Sequence, residues 1–152
     1  MQDEIEIRAL GDKFSDAANR VDPDMFQSLW APEGVWEVGP PINVKFEGAH
    51  VMGSSVKKML SQWEFFVQLT TSGVVQVFGK RAIARFYVNE LARHLSGAGH
   101  FNLAMYEDEL EKIDGKWLFA KRSYHIMYLD YSPLNGKTFP IPAISSLPKP
   151  II

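Results

Sequence analysis

Residues 106–122 have the sequence YEDELEKIDGKWLFAKR, and this stretch decides the fold. Its Asp114-Gly115 pair is a strong hairpin signal, because Asp and Gly tolerate the positive φ angles of a two-residue turn. The flanking residues predict two long strands, 100–113 and 116–129. Two more strands are predicted at 73–79 and 81–95, again joined by a short turn. Because long antiparallel strands twist and curl, the sequence predicts a strongly bent sheet.

The N-terminal half of the chain supplies helices for the concave side of that sheet. Apolar residues recur at helical spacing over residues 3–21. A short helix is predicted after Asp22-Pro23, a hairpin over 35–48, and a third helix from 51 to about 66. The chain of 152 residues is therefore predicted to be α+β, with a strongly curved mixed or antiparallel sheet wrapped around three N-terminal helices and a pocket inside.

Composition narrows the class of partner. Hydrophobic residues make up 46% of the chain, the formal net charge is −2, and cysteine is absent. We predict no nucleic-acid partner, because no basic run is present, and no membrane partner, because no apolar stretch approaches the ~18–20 residues that cross a bilayer. The acidic N-terminus and the lack of cysteine favour a cytoplasmic location. Neither metal-ligand spacing of histidines nor a dinucleotide fingerprint is found, so we predict no metal and no cofactor.

The last 22 residues differ in character from the rest of the chain. Residues 131–152 hold five of the nine prolines, interleaved with apolar residues. A disordered tail would be less apolar. We predict a single domain over 1–130 and a proline-rich C-terminal arm over 131–152 that packs on the pocket or on a neighbouring subunit.

Three stretches, in their order and spacing, resemble one family: residues 106–122, VDPDMFQSLWAPEGVWEV at 21–38, and YSPLNGKTFPIP at 131–142. With the order helix, short helix, hairpin, helix and antiparallel meander, the chain resembles the nuclear transport factor 2-like superfamily, whose fold is the cystatin-like cone. More narrowly it resembles the SnoaL-like branch, which includes polyketide cyclases, scytalone dehydratase and hexachlorocyclohexane dehydrochlorinase. The resemblance covers essentially the whole chain.

The resemblance implies a cofactor-free reaction in which a carboxylate orients a histidine base. The carboxylate falls on Asp22, and the Arg that stabilises a leaving anion falls on Arg122. The histidine position falls on Gln68, and an amide has no useful basicity, so another residue must supply the base. Each of the three also has a structural interpretation: Asp22 as a helix N-cap, Gln68 as a surface amide, and Arg122 as a solvated cation.

The long strands offer replacement groups. His100, Asn102 and Tyr106 alternate on one face of their strand, and the resemblance turns this face toward the pocket. His100 lies at the loop end of that strand, where exposure to solvent is the alternative. Tyr87 and Asn89 share a face of the preceding strand that also lines the pocket in the resemblance. The opposite face of that strand is apolar too, so alternation alone does not choose between them.

These residues make up the predicted site. The predicted catalytic residues are Asp22, His100, Tyr106 and Arg122. The predicted substrate-binding residues are Trp36, Trp63, Gln68, Tyr87, Asn89, Asn102 and Tyr124. The predicted function is a cofactor-independent lyase, by dehydratase-type elimination or loss of a small fragment, on the small hydrophobic, aromatic or polycyclic substrate that the resemblance implies.

Two other functions stay open from the sequence. An isomerase or cyclase of the ketosteroid-isomerase or polyketide-cyclase type would need a central carboxylate, for which Asp108 is the candidate. A non-enzymatic module that binds a hydrophobic ligand would need no base at all. We also expect a homodimer or homotrimer formed through the convex face of the sheet, to which we assign Ala84, Phe86 and Val88.

Overall fold

The computed structural model describes residues 1–142 of the chain. Three helices and two short strands come first, in the order α1 (Gln2–Asn19), α2 (Pro23–Ser28), β1 (Trp30–Val38), β2 (Val44–Glu47) and α3 (Ala49–Leu60). Four long strands follow, in the order β3 (Trp63–Phe78), β4 (Arg81–His94), β5 (Gly99–Ile113) and β6 (Lys116–Asp130).

All six strands form one sheet in the order β2-β1-β6-β5-β4-β3. β1 runs parallel to β6, and the other neighbouring strands pair antiparallel. The β5–β6 turn is the predicted one, with positive φ angles at Asp114 and Gly115. The predicted α+β cone, a mixed curved sheet packed on N-terminal helices, is therefore confirmed.

β3 begins ten residues earlier than the sequence predicts. The third helix ends at Leu60, and Trp63 to Phe66 belong to the strand rather than to the helix. The start of β3 pairs with the end of β4, from Trp63 opposite His94 to Phe66 opposite Ala92. A partner strand as long as β4 satisfies these backbone groups, and this outweighs the helical spacing of the apolar residues before it.

The core lies between the helices and one face of the sheet, which we call the inner face. Phe14 of α1 is at its centre, with ring centroids 5.3 Å from Tyr106, 5.9 Å from Phe119 and 6.0 Å from Trp36. Such tilted and edge-to-face contacts stabilise a core beyond the area that they bury. Aromatic rings thus fill the space between α1 and the middle of the sheet.

The burial of β4 corrects two predictions. Its buried residues are every second one: Ala82, Ala84, Phe86, Val88, Glu90 and Ala92. Tyr87 and Asn89 are exposed on the outer face and do not line the interior, so their predicted substrate contacts are wrong. Ala84, Phe86 and Val88 pack in the core, so their assignment to the convex face is wrong as well, while oligomer formation through that face remains a prediction. The helices cover the even-numbered face, which leaves the odd-numbered face to solvent.

The C-terminal arm follows β6. Residues 131–142 form no helix or strand, and the rest of the predicted arm, residues 143–152, lies outside the described residues. Within residues 1–142, no helix is long and apolar enough to cross a membrane.

Candidate functional site

Three polar residues form a row across neighbouring strands on the inner face. Gln68 on β3 lies opposite Glu90 on β4, which lies opposite Asn102 on β5. All three are buried, and Asn102 has no exposed surface. Because burying a polar group is costly unless it is hydrogen-bonded, such a row within an apolar face is a candidate site.

Glu90 is the centre of the row and accepts three hydrogen bonds. Gln68 Nε2 donates to its Oε2 at 3.0 Å, and the Tyr124 hydroxyl donates to the same oxygen at 3.1 Å. Asn102 Nδ2 donates to Oε1 at 3.3 Å. We call these four residues the Glu90 cluster. All three donors are neutral, so they orient the carboxylate without balancing its charge.

The environment of Glu90 changes its acidity. Burial raises the pKa of Glu90, and the hydrogen bonds from Gln68 and Tyr124 oppose the rise. Burial, followed by the neighbouring Glu90, raises the pKa of Tyr124, so that its hydroxyl keeps its proton and remains a donor. A carboxyl whose pKa moves toward neutrality is suited to take up and release a proton.

Helix α1 fixes the position of Gln68. The Ser15 hydroxyl donates to Gln68 Oε1 at 3.3 Å, which leaves Nε2 directed at Glu90. The Asn19 side chain bonds the main chain of Gln68 on both sides, donating to its carbonyl at 2.8 Å and accepting from its N–H at 2.7 Å. Gln68 is therefore a buried positioning group, and the alternative of a surface amide is wrong.

One hydrogen-bond acceptor in this row of polar residues has no donor, and a histidine lies near it. Asn102 Oδ1 is buried without a hydrogen-bond partner. His100 precedes it by two residues on the same face, buried against Trp63 with ring centroids 5.1 Å apart. Burial lowers the pKa of His100, which favours the neutral ring. His100 is a diagonal neighbour of Glu90, a separation of about 7–8 Å in an antiparallel sheet. The alternative of a solvent-exposed His100 is wrong.

A second buried carboxylate, Asp108, is held by Arg122. Arg122 Nε donates to Asp108 Oδ1 at 2.8 Å and Nη2 donates to Oδ2 at 3.0 Å, with both side chains fully buried. The guanidinium carbon lies 3.8 Å from the Tyr106 ring centroid and 4.3 Å from that of Phe14. Burial raises the pKa of Asp108 to about 6, and the Arg122 cation opposes the rise.

This pair changes what the sequence predicts for both residues. Arg122 is not a solvated cation, and two of its groups bind Asp108, which leaves Nη1 as its buried N–H without a partner. Both Asp108 oxygens are occupied, so Asp108 is not the open central carboxylate that an isomerase would need. Stabilisation of a leaving anion by Arg122 stays a prediction that depends on Nη1 alone.

Tyr106 and Trp36 belong to the aromatic core beside the Glu90 cluster. The Tyr106 ring centroid lies 4.8 Å from that of Tyr124, and burial raises the pKa of Tyr106. Trp36 packs against Phe26 at 5.2 Å, and its buried indole N–H has no hydrogen-bond partner. The catalytic role of Tyr106 and the ligand contact of Trp36 remain predictions.

Asp22 lies at the start of α2 as its N-cap. Its Oδ1 accepts from the Met25 N–H at 3.0 Å, and its Oδ2 lies 3.5 Å from Arg20 Nη2. The hydrogen bonds of the Glu90 cluster do not include it. The structure thus shows the capping role of Asp22, and its catalytic role remains a prediction.

A cavity of about 430 Å³ opens next to the cluster, between the helices, β3 and the arm. Its lining residues are Ala18, Asn19, Arg20, Val21, Leu60, Trp63, Glu64, Phe65, Phe66, Phe139, Pro140, Ile141 and Pro142. Phe66 precedes Gln68 by two residues on the same strand, and Asn19 bonds Gln68 directly. The four cluster residues do not line the cavity, which adjoins the cluster through Asn19 and Phe66. Another cavity, about 460 Å³ in volume, lies among charged residues that include Arg85, Glu107 and Lys121.

Glu90 is the residue that sequence reasoning missed. Along β4 it is the one charged residue among the even-numbered positions 82–92, while Arg81, Arg85 and Arg93 occupy odd-numbered positions. Arginines on one face of a strand indicate solvent, so the other face is the buried one. A lone carboxylate on that buried face was the available signal.

The fold and the cluster define a class: a curved-sheet domain with a buried, neutrally hydrogen-bonded carboxylate beside a cavity. Residues 1–123 match the family model described as the SnoaL-like domain. The chain therefore belongs to the SnoaL-like family, within the nuclear transport factor 2-like superfamily. No curated protein matches the chain.

Solved structures show the same fold. A hexachlorocyclohexane dehydrochlorinase of type 2 superposes with a TM-score of 0.77 at 19% identity, covering 92% of this chain and 94% of its own. From Novosphingobium aromaticivorans, a candidate aromatic ring hydroxylase superposes with 0.78 at 16% identity, covering 85% and 92%, and a candidate scytalone dehydratase with 0.75 at 14%, covering 86% and 87%. At these identities the similarity shows a shared fold. Because some of these structures are enzymes, the similarity supports enzymatic activity of this chain in general, without a reaction class or a substrate.

Proposed function

We propose that this protein is a cofactor-independent lyase in which Glu90 moves the proton, and that its substrate is a small hydrophobic ring compound carrying a hydroxyl group. One observation supports this most directly. Glu90 is a buried carboxylate with a raised pKa, held by three neutral donors, and Asn19, which bonds the main chain of its neighbour Gln68, lines a cavity. It supplies the base that the amide of Gln68 cannot supply.

One carboxylate is enough for the whole reaction, because Glu90 both takes the proton and returns it. Glu90 takes a proton from a carbon next to an activating carbonyl, and the electron pair of the broken C–H bond forms a C=C bond as the neighbouring C–O bond breaks. Glu90 then gives the proton to the departing hydroxyl group, so that the products are an alkene and water. Tyr124 and Gln68 orient the carboxylate throughout, as positioned donors in a site that excludes bulk water.

The surroundings favour a neutral, apolar substrate with one donor group. Trp63, Phe66 and Leu60 give the cavity the apolar part of its wall, and Asn19, Arg20 and Glu64 give it a polar part. The unpaired Asn102 Oδ1 needs an N–H or O–H donor, because an unsatisfied buried acceptor costs about 1–3 kcal/mol. A ring hydroxyl beside Glu90 meets this need. Two of the structurally similar proteins are named as a dehydratase and a dehydrochlorinase, names that denote eliminations.

The test is turnover of 3-hydroxy-1-tetralone, whose loss of water gives fluorescent 1-naphthol. Glu90→Gln keeps the size and hydrogen bonds of the side chain and removes its basicity, so we expect kcat to fall about 10²–10⁴-fold. Glu107→Gln, on an exposed position of β5, is the matched control and keeps wild-type kcat. Equal activity in wild type and Glu90→Gln would refute the proposal. Binding of ring ligands without turnover at any pH would favour the non-enzymatic alternative.

An isomerase is the second candidate, and one contact favours it. The Tyr124 hydroxyl bonds Glu90, and a Tyr beside a carboxyl of raised pKa can hold the oxyanion of an enolate. Isomerase and lyase share the first proton transfer and differ in whether a group leaves. In deuterated water, an isomerase exchanges the α-proton of 1-tetralone and does not release 1-naphthol from the hydroxylated ketone.

A further inference from the structure

Arg93, near the end of β4, binds two parts of the chain at once, β3 and the C-terminal arm. Its Nε and Nη2 donate to the two carboxylate oxygens of Glu64 on β3, at 2.9 and 3.2 Å. Its Nη1 donates to the main-chain carbonyls of Leu134 and Gly136 in the arm, at 2.8 and 2.9 Å. The Arg93 side chain is 15% exposed, so the forked guanidinium is largely enclosed by these partners.

These contacts determine where the arm continues. Gly136 precedes Phe139 by three residues, a span of at most about 10 Å for an extended chain. Phe139 to Pro142 then line the cavity together with Trp63 and Phe66. Phe139 is 69% exposed and Ile141 is 43% exposed, so the arm presents apolar surface that a bound ring compound would cover.

The base of the arm is fixed by a separate contact. A Cβ atom at Gly99 would collide with the main-chain carbonyl oxygen of Ser132. Because that obstacle is backbone, an alanine at Gly99 forces the start of the arm and Gly99 apart. At Gly136 a Cβ meets nothing within 4 Å, so an alanine there leaves the arm where it is. The two glycines provide a displacing variant and a matched neutral one.

We propose that Arg93 is a specificity-determining residue: by fastening the arm to β3 and β4, it makes Phe139 to Pro142 a fixed wall and sets the largest ring compound that the cavity admits. The ligand class is a flat, apolar compound that lies between the arm and the Trp63 and Phe66 side. This assignment rests on the proposed function in one respect, that the cavity is the way to Glu90. Arg93 touches neither the cluster nor the reacting atoms.

The test compares binding of a two-ring and a four-ring probe by calorimetry, with the full chain and without turnover. The probes are 1-naphthol and 1-hydroxypyrene. We expect wild type to prefer 1-naphthol and Arg93→Met to reduce that preference about tenfold, which corresponds to 1.4 kcal/mol. Glu64→Gln, which keeps a hydrogen-bonding side chain but removes the charge, should reduce it about threefold, since charge-assisted bonds are roughly twice as strong as neutral ones.

The two glycine variants complete the experiment. Gly99→Ala should reduce the preference in the same direction as Arg93→Met, and Gly136→Ala should keep the wild-type preference. If Arg93→Met folds and keeps the wild-type ratio of the two dissociation constants, the assignment is overturned. If Arg93→Met does not fold, a wild-type ratio in both Glu64→Gln and Gly99→Ala overturns it. An Arg93-dependent ratio in a protein that does not dehydrate 3-hydroxy-1-tetralone would refute the proposed reaction and leave this assignment standing.

Discussion

Glu90 and Asp108 are two buried carboxylates on the same face of one sheet, and they are held in opposite ways. Asp108 has a guanidinium across both oxygens, while Glu90 has two amides and a phenol hydroxyl. A cation balances the charge of the first and occupies its lone pairs. Neutral donors leave the charge of the second unbalanced. Burial alone therefore does not distinguish the two carboxylates, and the kind of partner does.

The sheet register produces this difference. Asp108 lies directly opposite Arg122 on β6, so their pairing is built into the strands. Glu90 lies between Gln68 and Asn102, whose amides can donate to it but cannot take up its proton. We call the Arg122–Asp108 pair the closed pair and Glu90 the open carboxylate, because only Asp108 has a cation across its oxygens.

The largest effect should come from breaking the closed pair. Arg122→Met leaves Asp108 buried without its cation, and we expect the free energy of unfolding to fall by about 3–5 kcal/mol. Urea unfolding followed by tryptophan fluorescence measures it. The double variant Arg122→Met with Asp108→Leu is the control and should recover most of the loss, because no unpaired charge is left. A loss below about 1 kcal/mol in Arg122→Met would contradict the distinction between the two carboxylates.

A pH series should separate the open carboxylate from the closed one. The folded-state pKa of Glu90 lies above its ordinary value of 4.5, so the folded protein keeps a proton that the unfolded chain has lost. The contribution of Glu90 to stability therefore falls as pH rises from about 4.5 to the raised pKa, and is constant above it.

Glu90→Gln removes this dependence and leaves that of Asp108 in place. The difference in unfolding free energy between the two proteins should grow in favour of Glu90→Gln with rising pH, by about 1.4 kcal/mol for each unit of pKa shift. Urea unfolding at several pH values between 4 and 8 measures it. A difference that does not change with pH would mean that the surroundings leave the acidity of Glu90 unchanged.

The smallest effect tests one donor of the open site. Tyr124→Phe removes a hydroxyl that stabilises the Glu90 carboxylate, so the pKa of Glu90 should rise further. A neutral hydrogen bond worth about 0.5–1.5 kcal/mol corresponds to about 0.4–1.1 pKa units. The ascending limb of the kcat/KM profile should move to higher pH by that amount. Tyr128→Phe, at an exposed position, should leave the profile in place. A shift to lower pH would argue against Glu90 as the base.

Much of the fold could be predicted, because the signals that carry it are local. The Asp114-Gly115 turn and the alternation beside it are enough to place β5 and β6. The beginning of β3 could not be predicted in this way, since Trp63 to Phe66 continue the apolar spacing of α3. Only pairing with β4 makes them a strand. The sequence likewise could not predict which face of β4 points inward, because that depends on where the helices pack.

The site was less predictable, because register across strands decides it. Counting back evenly from the β5–β6 turn would place Asp108 opposite Lys121. An irregularity between Glu109 and Leu110 shifts the register by one residue, and Arg122 takes that place instead. Such a shift also changes which residues of β6 point inward. The family resemblance placed His100 and Asn102 on the inner face, where both are buried.

β3 is an edge strand of 16 residues, and an open edge is a template on which another chain can add a strand. Helix α1 occupies that edge at two places. Asn19 bonds both main-chain groups of Gln68, and Arg8 Nη1 donates to the carbonyl of Gly73 at 2.9 Å. An incoming strand would find these groups already bonded. The helix that orients an amide toward Glu90 therefore also blocks the pairing of an added strand at Gln68 and Gly73.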